Sequence, residues 1–368
     1  MKNKKLGTKT KIGAKPKKTI GSKSTEVKSL QRHGRANIEH VAKLAGVSIK
    51  TVSRVFNNEP NVAVATRDRV QKAIAELDYI PNHSARSLAG RQSKTLGLLY
   101  DNPSPSYNEQ VQRGALGVCR EAGYELLLHP CKFEDKCISE EVINLHRQGR
   151  FDGIILTPPI SDLVDVVDAF VQAGVPIVAI APADLRKDIL QVVTDDFKTC
   201  VAMTRVLYGL GHRKIAFIAG HPEHRAVGLR LEGFRAAMHE LKLPISDEYI
   251  VQGYNTFESG ERAGASLLTL PDPPTAIFAA NDDMAAGVMR VAFRFGVSIP
   301  DSLSIVGFDD IPLATQVWPE LSSVRQPIEA MSAKAVELLI AKLKGETDIP
   351  VDVLLKSGIM LRGTTGAI

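Results

Sequence analysis

Cysteine is scarce: Cys119, Cys131, Cys137 and Cys200 are the only four in 368 residues, and no two make a CxxC pair. That excludes zinc-ribbon and dithiol redox motifs, and the expected compartment is a reducing, cytoplasmic one. Long apolar runs are missing too. No stretch approaches the roughly eighteen uninterrupted apolar residues that mark a membrane helix. The basic N-terminus has no apolar segment after it, so it does not read as a secretory signal. Absent as well are the phosphate-cradling G-x-x-x-x-G-K-[ST], a G-x-G-x-x-G following a strand, and the nucleophile elbow G-x-S-x-G. The expectation is therefore no enzyme, no metal and no cofactor. His221 and His224 do form an H-x-x-H, but after a predicted strand and before Ala226 they read as a polar loop rather than a metal pair.

What is present is an ordinary globular composition, 44% apolar and 24% charged, with the charge unevenly placed. Residues 1–35 hold twelve Lys/Arg against Glu26 alone, a net +11. Residues 36–92 are net +3, and residues 93–368 are net −9. A basic end on an acidic body is the asymmetry expected where one end meets a polyanion. The first 35 residues have no apolar periodicity and read as a disordered basic tail.

Periodicity begins at Asn37. Ile38, Val41, Ala42 and Ala45 share one helical face, and Gly46 ends it. Ser48 can cap a second short helix with Val52 and Val55 turned inward. After a loop through Asn57, Asn58 and Pro60, a third helix buries Val70, Ala73, Ile74 and Leu77. Three short helices with a Gly turn between the first two describe a helix-turn-helix unit over 36–80. The third has Ala63 at its cap position, which supplies no side-chain acceptor. Pro81 ends the unit. Asn82 can cap a seven-residue helix, His83–Ala89, closed by Gly90; that is too short to be stable alone, so 81–93 reads as a conditional linker.

Beyond Thr95 the rhythm is strand, helix, strand. Apolar runs at Leu96–Tyr100, Glu125–Leu128, Gly153–Leu156 and Ile177–Ile180 form one series. Ile215–Ala219, Tyr249–Gly253, Ala276–Ala280 and Ser304–Gly307 form another. Apolar strands alternating with helices indicate parallel sheets covered on both faces, hence two similar α/β lobes. Ligands in such sheets sit beyond the carboxyl ends of the strands.

The stretch from Ala45 to Tyr100 closely resembles the start of lactose-repressor (LacI/GalR) family regulators. It joins a helix-turn-helix to a YxPN junction (Tyr79, Pro81, Asn82), a hinge ending Leu88-Ala89-Gly90, and a first core strand. The resemblance continues through VPIVAI, LGHRKIAFIAG, LRLEGF, AIFAANDDMAAGVMR, SIVGFDD and the RQP of Arg325–Pro327. It implies a periplasmic-binding-protein-like core at 94–365 in which the chain crosses between lobes three times. The first lobe is expected at about 94–193 and 326–345, the second at about 194–322 and 350–365.

The same resemblance implies a sequence-specific transcriptional regulator, a repressor relieved by a sugar-like inducer; a corepressor-dependent regulator or an activator is the alternative reading. A binding protein with no DNA role is disfavoured, because it calls for an export signal and no headpiece. The expected partners are a pseudopalindromic double-stranded operator, a small sugar-like effector and a second copy of the chain. The chain stops soon after LRGTT with no apolar heptad following, which reads as a dimer without a tetramerising helix.

A recognition helix enters the major groove N-terminus first. Ile49 would then offer an apolar contact and Lys50 a donor to guanine, with Arg54 one turn on. Ser48, Thr51, Ser53 and Asn57 are placed for phosphates. In the hinge, Leu88 matches the family's minor-groove wedge, with Asn82, His83 and Ala85 beside the duplex. In the cleft the match points to Arg230, Asn281 and Asp309. Asp101, Tyr107 and Asn108 face them from the first lobe, Asn255 and Phe257 form a rim, and Ile328 forms an apolar wall. An internal ion pair is the lesser alternative for Arg230, and Asp282 and Asp310 read equally as caps of following helices. Ala181 stands where some sugar-binding relatives carry an acid, so specificity does not transfer from them.

Overall fold

The computed structural model describes residues 36–56, 60–79 and 93–368. The chain divides into a small N-terminal unit ending at Gly90 and a large unit from Arg91 onward.

The small unit is three helices: α1 (Ile38–Ala45), α2 (Ile49–Phe56) and α3 (Val64–Glu76). Asn37 caps α1 through a reciprocal capping box with His40. Gly46 closes that helix at φ 66°, a left-handed turn that glycine adopts without a Cβ penalty. Ser48 Oγ accepts from Thr51 N at 3.1 Å and so starts α2 as expected. Ala63 makes no side-chain cap bond. Val41, Ala42, Ala45, Val52, Val55, Val70, Ala73, Leu77 and Tyr79 form the core, with Phe56 edge-on to Tyr79.

The large unit carries two six-stranded sheets. The first uses β1 (Thr95–Tyr100), β2 (Glu125–Pro130), β3 (Gly153–Leu156), β4 (Ile177–Ile180), β5 (Leu190–Val193) and β11 (Asp352–Leu354), in the order β11-β5-β4-β3-β1-β2 and all parallel. Helices α4 (Pro105–Ala122), α5 (Ile138–Arg147), α6 (Val164–Gln172) and α12 (Ile328–Leu343) belong to this lobe. The second sheet uses β6 (Ile215–Ala219), β7 (Ile250–Gln252), β8 (Ala276–Ala279), β9 (Ser304–Asp309), β10 (Ser322–Arg325) and β12 (Gly358–Met360), in the order β12-β10-β9-β8-β6-β7. Only its β10–β12 pair is antiparallel. Its helices are α7 (Asp196–Gly209), α8 (Arg225–Glu240), α9 (Phe257–Leu268), α10 (Asp282–Phe295) and the short α11 (Leu313–Gln316). Gly260 and Gly287 let α9 and α10 touch backbone to backbone, because a Cβ at either would run into the other helix's main chain.

The chain passes between the lobes after β5, after β10 and after β11. The last crossing corrects the expected boundary. Residues 352–354 pair with Gln191, Val192 and Val193 on the first sheet, so the segment from 350 onward is shared between lobes rather than belonging to the second. The sequence shows only one apolar run here, because β11 is a three-residue edge strand with exposed ends. Strands β5 and β10 escaped the apolar-run reading because Gln191, Ser322, Ser323 and Arg325 interrupt them, and β12 because it has only three residues. At the start of the unit, the Asp152 carboxylate accepts from Ser93 N and Lys94 N, which ties the entering chain to the first lobe.

Candidate functional site

Two surfaces carry the chemistry. On the headpiece, helix α2 buries only Val52 and Val55. Ser48, Ile49, Lys50 and Arg54 are exposed, and Thr51 and Ser53 are half-buried. Ile49 is 46% exposed at the first turn, an apolar side chain that the core does not use. The expected contacts Asn57, Asn82, His83, Ala85 and Leu88 lie outside the described residues.

In the large unit a polar cavity lies between the lobes, lined by Asn102, Tyr107, Pro158, Ala181, Asp196, His224, Val227, Arg230, Asn255, Asn281, Asp309 and Gln326. Arg230, on α8, is its centre. Nε donates to Asp196 Oδ2 at 2.9 Å, and Nη1 donates to the Ala280 carbonyl at 2.5 Å. Nη1 also lies 3.3 Å from Asp309 Oδ1, and the guanidinium stacks on the Phe308 ring. Burial alone would lower the Arg230 pKa, but the Asp309 and Asp196 charges raise it, so the cation is held. One cation thus meets two carboxylates, and the surplus acid is visible on Asp309. Burial pushes its carboxyl up to about 7 despite the pull of Arg230, with Asp196 and Asp283 adding to the rise.

The second-lobe amides are fixed by local structure. Asn281 caps α10, its Oδ1 accepting from Met284 N, while Nδ2 donates to the Asn255 carbonyl at 3.0 Å. The Asn255 side chain contacts His224 Nδ1 at 3.0 Å. Gln326, on the second crossover, donates to Asp309 Oδ1 at 3.2 Å, and its buried Oε1 has no partner. From the first lobe comes Tyr107, whose hydroxyl pKa is raised by burial and by Asp309. Three cavity-lining residues other than glycine hold left-handed backbone: Ala181 (φ 46°), Asn255 (φ 60°) and Asp309 (φ 104°). Such conformations cost on the order of 1–3 kcal/mol each and gather where a site over-determines them.

The cavity therefore brings together Tyr107, Arg230, Asn255, Asn281 and Asp309. It leaves out four other expected residues. Asp101 accepts instead from Phe133 N at 2.8 Å. Asn108 donates to the Asn102 carbonyl, which braces a cavity residue without lining the cavity itself. Phe257 begins α9 with Arg290 over its ring at 5.8 Å. Ile328 is 1% exposed within the first-lobe core. Neither Asp282 nor Asp310 caps a helix through its side chain: Asp282 accepts from Ser323 Oγ and Ile311 N, and Asp310 pairs with Arg325 and Arg362. Sequence reading missed Asn102, Pro158, Asp196, His224, Val227 and Gln326. Asp196 had a usable signal, an acid following a strand end, but the strand itself, β5, is interrupted by Gln191 and does not read as an apolar run.

The family is decided by likeness across the whole chain. The description "Bacterial regulatory proteins, lacI family" matches residues 37–82, and "Periplasmic binding protein-like domain" matches residues 204–365. The HTH-type transcriptional repressor PurR of Vibrio parahaemolyticus is 32% identical over 337 residues, 89% of this chain and 98% of that protein. The chain belongs to the LacI family. The ribose operon repressor of Escherichia coli K12 is 33% identical over 332 residues, 89% of this chain and 99% of its own length. The lac repressor dimer bound to operator and the anti-inducer ONPF superposes with a TM-score of 0.81 at 28% identity, covering 91% of this chain and 100% of that one. A CelR–cellobiose complex superposes with a TM-score of 0.68 at 30% identity, covering 90% and 100%. This LacI-family chain is thus a DNA-binding transcriptional regulator with a helix-turn-helix headpiece. Among the described residues, no helix is long and apolar enough to cross a membrane.

Proposed function

We propose that this regulator is a repressor that binds a pseudopalindromic operator as a homodimer and releases it when a small, hydroxyl-rich effector enters the cavity between its lobes. It acts in the cytoplasm, without catalysis and without a cofactor. The observation that carries this reading is the Arg230–Asp196–Asp309 cluster, with Asn281 and the unpartnered Gln326 Oε1 beside it. A vicinal diol supplies both donors and acceptors, which suits carboxylates, an amide and a guanidinium arranged together. Arg230 is already neutralised by two acids, so a neutral polyol suits the cavity better than a sugar acid.

Support from relatives is consistent. One solved relative is a cellobiose complex, another is bound to operator, and a curated relative is a ribose operon repressor. On the headpiece, Ser48, Thr51, Ser53 and Asn57 would meet phosphates, while Ile49, Lys50 and Arg54 would read bases. Asn82, His83, Ala85 and Leu88 would serve the hinge contact.

The test is a thermal-shift screen of the full chain with neutral sugars, sugar acids and nucleosides, followed by operator titration with each hit. A ligand at a hundredfold excess over its Kd stabilises by about 2.7 kcal/mol. The expected hit is a neutral sugar that weakens operator binding, typically five- to 150-fold. Asp309→Asn should bind operator normally and lose that response. A variant that responds at wild-type effector concentrations would rule out this cavity as the sensor.

A further inference from the structure

At the mouth of the cavity, four rings meet across the gap between the lobes. Phe133 lies in the first lobe, in the segment after β2, whereas His221 and His224 lie in the second, just before α8. The Phe133 ring stands nearly perpendicular to both imidazoles, with centroids 5.4 and 5.6 Å away. The imidazoles are 4.8 Å apart, and His221 meets Tyr254 at 5.5 Å. Phe133 is held in place from behind, because Asp101, just past the end of β1, accepts its backbone N–H at 2.8 Å. A second bridge between the lobes, Arg225 to Asp184 at 2.6 Å, lies on the exposed side. On the inner side, His224 contacts Asn255, whose carbonyl receives Asn281.

We propose that Phe133, packed against His221 and His224, is a latch that holds the two lobes closed, and that Asp101 is the positioning residue that presents it. The proposal rests on the reading of the cavity as the effector site. It replaces a direct ligand role for Asp101 with an indirect one. Perpendicular rings set the positive edge of one against the negative face of the other. A proton on the buried His224 would place a second cation beside Arg230 and disfavour the closed arrangement. The charged groups around the pair are Glu223 between the two histidines, whose backbone N–H donates to His221 Nδ1, Arg225 and Arg230 on α8, Asp184 opposite Arg225, Asp101 behind Phe133 with Lys132 and Glu134 flanking it, and Asp196 and Asp309 on the cavity side. Burial holds the His224 pKa down to about 4, helped by His221 and Arg230. Opening the cleft returns it toward its ordinary value, so closure should weaken as pH falls from 6.5 toward 4, up to tenfold per pH unit.

The experiment measures closure directly in the full chain, with neither operator nor effector present. Spin labels go on the native Cys137 and on Arg262→Cys, in a Cys131→Ser background, and distances are read by pulsed electron resonance at pH 8 and pH 5. The expected result is a short distance at pH 8 that lengthens at pH 5. Phe133→Ala should be long at both pH values, Phe133→Tyr should restore the short form, and Asp101→Ala, which has no acceptor for the Phe133 N–H, should follow Phe133→Ala while Asp101→Asn keeps the short form. Circular dichroism melts at pH 8 establish that each variant is folded. Wild-type distances in Phe133→Ala, or an open wild type at pH 8, would overturn the latch. Wild-type behaviour in Asp101→Ala would overturn the positioning role. Failure of the effector reading shows instead as an Asp309→Asn protein that still responds to sugar on operator DNA, a result this measurement does not touch.

Discussion

Asp309 and His224 line one cavity, and burial shifts their pKa values in opposite directions. Each departs from its ordinary value mainly through burial, Asp309 upward to about 7 and His224 downward to about 4. Folded Asp309 therefore holds a proton that the unfolded chain has lost, and its contribution to stability falls as pH rises from about 4 to about 7. Folded His224 lacks a proton that the unfolded chain holds, and its contribution rises with pH between about 4 and 6.5. In the window they share, the two slopes oppose and largely cancel. Asp309→Asn removes one of them. Its denaturation midpoint should gain on that of the wild type as pH is raised from 4 to 7, and a parallel pair of curves would contradict the assignment. His224→Gln should show the opposite trend between pH 4 and 6.5. Arg230 stands between these groups and is the residue that makes two buried carboxylates tolerable, so its removal would disturb the core as well as the site.

At the scale of elements, helix α3 starts without a side-chain cap. Ala63 has extended backbone, φ −56° and ψ 138°, from which a hydroxyl can reach the first-turn N–H groups. Ala63→Ser should stabilise the headpiece by about 1 kcal/mol, within a range of roughly 0.5–2. Hydrogen exchange of the α3 amides, compared with those of α1, is the direct check. The linker offers a second prediction. Leu88 matches the family's wedge position, and an apolar wedge is worth most at an easily unstacked pyrimidine–purine step. The family resemblance points to CG at the operator's centre. Leu88→Ala should weaken binding to such an operator yet leave salt-sensitive binding to random DNA. Unchanged operator affinity in a gel-shift titration would dismiss the wedge.

For the whole molecule, charge and symmetry make the predictions. The net +11 of residues 1–35 faces a net −9 over residues 93–368. Deleting residues 1–30 should flatten the dependence of log K on log salt, because fewer counterions are released, while operator preference is kept. An unchanged slope would place the tail off the DNA. A two-fold operator needs a two-fold protein, so light scattering should give the mass of a dimer; a stable tetramer would refute the homodimer proposal. Coupling between the sites has a physical route at one end. Asp152 ties Ser93 and Lys94 to the first lobe, so a movement of that lobe carries the end of the linker with it.

The headpiece helices, the two series of parallel strands and the family were legible in the amino-acid order, because these rest on local signals. A 3.6-residue apolar period, a glycine at a left-handed turn and a buried apolar strand are each written in consecutive residues. That order also named five residues that line the cavity. Only the tertiary structure decided the rest. Three-residue edge strands carry too little pattern to be read, and one of them, β11, moved a lobe boundary. Asp196 and Gln326 reach the cavity through chain crossings that no local period announces. Asp101 has the composition of a ligand contact but spends its carboxylate on Phe133 N. His221 and His224, a polar loop by sequence, meet a ring from the other lobe. Which polar groups converge is set by where strand ends face one another across the lobes, and that depends on contacts between residues as distant in sequence as Phe133 and His224.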